Sequence, residues 1–145
     1  MTTAEHLDTI DGLRTREFPA EPVWSGGQSS GPGHHLVPVG RTADFWEDGG
    51  SGRPEAADQI SAEYGALTQA LTDRWGQAQV FSLVSLRDRG FDGEEIPEPW
   101  DELSNSTDHV HLWRAGDRWL VAYVAQWDEG DPYLLMAGVT VIDPP

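Results

Sequence analysis

Three apolar segments separated by short polar turns occupy the last third of the chain, at residues 109–114, 118–127 and 133–142. Runs of this length, rich in Trp, Tyr, Val and Leu and bounded by Gly, Asp and Pro, read as strands. Strands with such short connections pair antiparallel, so this stretch limits the fold more than any other. Residues 79–86 read as one further strand, because Val80, Phe81, Leu83, Val84 and Leu86 form a nearly continuous apolar run. The expected sheet is a four-stranded antiparallel β-meander.

Gly116-Asp117 suits a two-residue type II′ turn. That register sets Trp113 opposite Leu120, Leu112 opposite Val121 and Val110 opposite Tyr123. A turn through residues 128–132 sets Trp127 opposite Tyr133. One face then carries Val110, Leu112, Val121, Tyr123, Leu135 and Val139. The other carries Trp113, Leu120, Ala122, Val124, Leu134 and Met136. A sheet with one wet face would alternate apolar and polar residues, so each of these faces needs a cover.

A long amphipathic helix is expected over residues 54–75. Pro54 fits a first helical turn, and Ile60, Tyr64, Leu67, Leu71 and Trp75 form one stripe. Ala122 and Gly138 would let it approach the second face closely. A short N-terminal helix is expected over residues 3–14, where Thr2 and Glu5 have capping-box spacing and Leu7, Ile10 and Leu13 repeat. Residues 17–52 are punctuated by Pro and Gly and read as a long irregular segment, flexible around residues 25–33. A short strand at residues 35–39 would be confined to an edge by Pro38. Phe18, Trp24, Phe45 and Trp46 would pin this segment down. With the N-terminal helix it is the expected cover of the aromatic face; a partner or ligand is the alternative. These readings make residues 1–145 a single α+β domain with an irregular, partly flexible segment at 17–52.

Charge narrows the partners. Acidic residues number 25 against nine basic ones, for a net charge of −16. Every basic residue is Arg, which together with abundant Ala, Gly, Pro and Asp fits a GC-rich bacterial genome. Such a surface repels phosphate backbones, so neither nucleic acid nor an anionic membrane is an expected partner. A basic protein is. The absence of Cys excludes disulfides, thiolate catalysis and Cys-ligated metal centres. No secretory leader and no spanning apolar run is present, so the expected location is cytoplasmic. No cofactor is expected, and the chain would be a monomer or homodimer.

The favoured reading is a small acidic protein-interaction module, immunity- or adaptor-like in size and charge, that binds rather than catalyses. The acidic connection 87–108 would present Glu94, Glu95, Asp101 and Glu102, with Trp100 and Trp127 as aromatic anchors. The alternative is a small-molecule-binding or hydrolytic domain with its pocket between the aromatic sheet face and the Gly-rich segment.

Three constellations bear on that alternative. His109 and His111 share a strand face at metal-ligand spacing beside Asp108, and a third ligand would have to come from His34, His35 or residues 128–131. Two histidines on a half-exposed strand are the ordinary reading. Ser25, Ser29 and Ser30 lie near His34-His35, but no G-x-S-x-G, Walker or G-x-G-x-x-G pattern accompanies them. Asp128, Glu129 and Asp131 surround Gly130 without EF-hand ligand order. Adjacent carboxylates elsewhere follow from composition.

Overall fold

The computed structural model describes residues 2–42, 49–127 and 130–145. Phe45, Trp46, Asp128 and Glu129 fall outside these. Among the described residues the architecture is α+β: a seven-stranded antiparallel sheet with helices on both faces. The elements run α1 (Thr3–Thr15), β1 (Val23–Ser25), β2 (Gln28–Gly31), β3 (His34–Arg41), α2 (Arg53–Trp75), β4 (Gln79–Ser82), α3 (Val84–Phe91), α4 (Trp100–Ser106), β5 (His109–Ala115), β6 (Arg118–Ala125) and β7 (Leu134–Thr140). The strand order is β1-β2-β3-β7-β6-β5-β4. The expected four strands are thus one side of a larger sheet.

The extra strands come from the segment expected to be irregular. Gly26 and Gly27 both stand at positive φ, 59° and 82°, between paired Ser25 and Gln28. Two positive φ angles are what a type I′ two-residue hairpin turn requires, and glycine supplies them without steric cost. A second tight turn at Pro32-Gly33 joins β2 to β3. The glycines and prolines that read as a flexible loop are turn residues. Strand β3 is interior, flanked by β2 and β7, so Pro38 does not place it at the sheet edge. Its β2 pairing ends at Leu36, however, and its β7 pairing is bulged between Pro38 and Gly40. The missing amide therefore falls where the neighbouring ladder has stopped.

The β5–β6 register is as expected, with Trp113 opposite Leu120 and Leu112 opposite Val121. The β6–β7 register is one residue off. Ala125 pairs with Leu134 and Tyr123 with Met136, which moves every β7 side chain to the other face. Strand β7 is apolar on both faces, so its pattern alone does not specify the register. Gly138 faces the β3 backbone, and a Cβ there would meet the His35 carbonyl oxygen at 2.5 Å.

Helices α1 and α2 cover one face. Ile10, Leu13, Ile60, Leu67 and Leu71 are buried there against Val37, Val39, Trp113, Leu120, Leu135 and Val139. Tyr64 and Trp75 complete the stripe in partly buried positions. Thr2 and Glu5 form the expected capping box, each side chain bonding the other's backbone N–H.

The other, aromatic face is covered from within the chain, but by the acidic connection and not by residues 17–52 with the N-terminal helix, because α1 packs beside α2 on the first face. Leu83, Leu86, Ile96, Trp100 and Leu103 pack on Leu36, Val110, Leu112, Val121, Tyr123 and Met136. The expected strand at 79–86 is therefore split. Strand β4 ends at Ser82, and Leu83 and Leu86, three apart, turn inward at the start of α3. Arg87 ties α3 to α4 through the Ser104 and Thr107 carbonyls, at 2.7 and 2.9 Å, and the Asp108 carboxylate at 2.8 Å. Among the described residues no helix is long and apolar enough to cross a membrane.

Candidate functional site

A pocket of about 480 Å³ lies between the β1–β3 hairpins and the start of α4, lined by Pro22, Trp24, Ser29, Ser30, Pro32, His34, Glu98 and Glu102. Cross-strand pairing builds one wall. Trp24 is paired with Ser29 and Ser29 with Leu36, so these three side chains form a row. His34 is two residues from Leu36 on β3 and points to the same face. The α3–α4 connection supplies the opposite wall with Glu98 and Glu102. The Glu102 backbone N–H donates to Glu98 Oε2 at 3.3 Å, which holds the Glu98 carboxyl group at the start of α4.

Glu102 is 8 % exposed, and its Oε2 accepts a hydrogen bond from Ser29 Oγ at 3.0 Å. Burial pushes its pKa up to about 7, and the Glu98 charge adds to the rise while the Ser29 hydroxyl opposes it. Burial also raises Glu98, and Asp101 beside it adds to that. Burial, followed by the Glu102 charge, raises the phenol of fully buried Tyr123. His34 is 5 % exposed and its Nδ1 is sealed from solvent with no hydrogen-bond partner among the described residues. Burial and then His35 lower its pKa, so the ring is neutral at pH 7. Among the described residues no arginine lines the pocket, and Trp24 in its lining is 64 % exposed.

A stability prediction follows from Glu102. Its folded pKa, about 7, is above the ordinary carboxyl value. The native state then binds more protons than the unfolded chain between about pH 4.5 and 7, and stability falls as pH rises through that window. Glu102→Gln removes the charge and keeps an acceptor for Ser29. It is expected to leave the urea midpoint nearly unchanged at pH 5 and to raise it increasingly toward pH 8. A constant difference across that range would show that Glu102 does not titrate there.

The fold distributes the sequence-predicted site residues unevenly. Glu102 is in the pocket. Trp100, expected as an exposed anchor, is fully buried beneath the sheet; its spacing with Leu103 makes it the inner face of α4. Glu94 and Glu95 are exposed, and Glu94 is paired with Arg89. Asp101 is half-buried, and Trp127 is 50 % exposed at the far end of β6, away from the pocket.

His109 and His111 share a face, their ring centroids 6.2 Å apart. His111 Nδ1 is engaged with the Tyr64 hydroxyl, and its ring stacks on Trp113. Among the described residues no group of three His, Asp or Glu side chains converges to hold a metal ion. Trp24 and Glu98 carry no functional signal in the sequence, and His34 is legible there only as a candidate metal ligand or a neighbour of the loop serines; the two hairpins over residues 23–41 and the fold of the α3–α4 connection bring them together. Comparisons with family models, curated proteins and solved structures give no match to this chain.

Proposed function

We propose that this chain is a small-molecule-binding domain whose pocket takes a compact organic cation, an amine or a guanidine. The observation that supports this is the buried Glu102 carboxyl group, with Glu98 in the same lining, in a pocket that no arginine among the described residues lines. Buried charges are ordinarily paired, and an unpaired carboxyl group takes up a proton instead. A bound cation would supply the missing partner and let both groups ionise. Trp24 at the mouth offers a π face to the same ligand, and Ser29 and His34 offer polar contacts around it. Perturbed carboxyl groups in a cleft are a common mark of a functional site.

Proton and cation compete for Glu102, which sets the test. Calorimetric titrations with n-butylamine, butylguanidine and the neutral n-butanol should show binding of the cations alone. Affinity should be greatest above pH 7 and fall toward about tenfold per unit below it. Glu102→Gln should weaken binding and flatten the pH dependence. Equal binding of butanol, or pH-independent binding of the amine, would dismiss the cation reading.

A second reading is a protein-interaction module, immunity- or adaptor-like, with a basic partner. Phe91 favours it: this ring is 80 % exposed at the end of α3, close in sequence to the exposed carboxylates Glu94 and Glu95. Exposed charge steers association and weakens with salt. A basic partner captured at low salt should associate more slowly with the Glu94→Gln, Glu95→Gln variant and leave Phe91→Ala faster. Unchanged rates in both would discard this surface.

A further inference from the structure

The opposite face of the same hairpin carries a second constellation, which shares only Ser30 with the lining of the carboxylate pocket. Ser30 and His35 are cross-strand partners on β2 and β3. Ser30 Oγ lies 2.7 Å from His35 Nδ1, and His35 Nε2 lies 3.0 Å from the Glu17 backbone carbonyl oxygen. A carbonyl only accepts, so Nε2 carries the ring proton and, in the neutral ring, Nδ1 is left as an acceptor. The bond therefore runs from the Ser30 hydroxyl to His35 Nδ1.

The histidine is buried and the serine half-buried beside a depression of about 480 Å³. Arg16, Phe18, Pro19 and Val23 form part of its lining. Phe18 also packs on the His35 ring, centroids 4.9 Å apart, and fixes its plane. A base with one nitrogen held by an orienting acceptor and the other on an accessible hydroxyl is the arrangement that activates a serine.

We propose that Ser30 is an activated nucleophile toward acyl esters, with His35 as its general base and the Glu17 carbonyl as the group that orients the base. Ser30 Oγ attacks the ester carbonyl carbon as its proton passes to His35 Nδ1. Collapse of the tetrahedral adduct breaks the bond to the leaving alcohol, which takes that proton from His35. A water molecule then repeats the sequence on the acyl-serine, releasing the carboxylic acid and restoring both side chains. Arg16 in the same lining is the cation available to a developing oxyanion, and the apolar wall of Phe18, Pro19 and Val23 suits an apolar acyl chain. Burial lowers the His35 pKa, and the charges of Arg16 and Arg118 lower it further, against the hydrogen bonds to Glu17 and Arg16. The ring is thus in its basic form at neutral pH, as the step needs.

The test uses a fluorophosphonate probe, p-nitrophenyl butyrate and the full chain. The expected result is one phosphonyl adduct, mapped to Ser30 by peptide mass spectrometry and absent after heat denaturation. Ester turnover should disappear in Ser30→Ala and slow about a hundredfold or more in His35→Gln. In the wild-type chain the labelling rate should rise with pH and level off below the ordinary histidine value. This profile needs no variant to fold. A rate that climbs with hydroxide without levelling overturns the proposal. So does labelling at another residue, or none above the denatured control. Titrations of the Glu98–Glu102 pocket would be unaffected by either result.

Discussion

Replacing Trp100 with alanine is expected to destabilise the fold by about 3–5 kcal/mol, the range for removing a large aromatic from a core. The indole is fully buried and meets Phe81 edge-on, centroids 5.6 Å apart. Its N–H donates to the Ile142 carbonyl at 3.1 Å, and truncation leaves that acceptor without its partner. Urea unfolding of Trp100→Ala beside Trp24→Ala makes the measurement specific. The second side chain is as large but mostly exposed, and its loss should move the midpoint little. Similar midpoints for the two variants would mean that α4 does not seal this face, and the Glu98–Glu102 pocket would lose its wall.

Leu67→Ala examines the opposite layer. Leu67 is completely buried in the middle of α2, in the cluster that holds Ile60, Leu71, Leu120 and Val139. Its loss should cost about 2–5 kcal/mol, with the spread set by how far the site collapses around the void. The two sites lie on opposite faces of the sheet, so the double variant should show nearly the sum of the two losses. A Leu67→Ala midpoint equal to the wild type would remove α2 from the core.

The legible parts of the fold were those where one pattern had a single physical solution. The stripe from Ile60 to Trp75 fits only a helix with one buried face, and the Thr2–Glu5 spacing fits a cap. The Gly116-Asp117 turn fixed the β5–β6 register through its own geometry. Elsewhere the same residues served two outcomes. Leu134–Thr140 is apolar at nearly every position, so either register buries it equally well. Val80 to Leu86 was continuous enough to read as one strand, although Leu83 and Leu86 also have the spacing of a helical turn. Trp100 and Leu103 are legible as anchors of the acidic connection, but Ile96 is not, and the surrounding carboxylates also suggest a partner-facing role for Trp100, because charge dominates the composition of a segment while a few apolar side chains decide where it packs.

The candidate site was the least legible for a similar reason. Glu102 and Ser29 are 73 positions apart and meet only because two hairpins, read as loop, bring β2 under α4. The serines and histidines of residues 25–35 stand out as a group in the sequence, but strand alternation separates them. Ser29 and His34 join the carboxylates on one face, while Ser30 and His35 pair on the other. No local motif encodes that partition.

The strand order carries a consequence for how the molecule is made. The N-terminal hairpins join the sheet only through β7, and the Thr140 hydroxyl reaches the Gly33 carbonyl from 107 positions along the chain. Contacts of such separation must close a long loop before they reward it, which slows folding. On the ribosome, β1 to β3 would emerge early and stand with an open edge until almost the whole chain had followed. The β4–β6 side can pair locally in the meantime. Assembly of this protein should therefore be late and nearly all at once on its N-terminal side, and the β2–β3 hairpin would be locked into the sheet only in that final step.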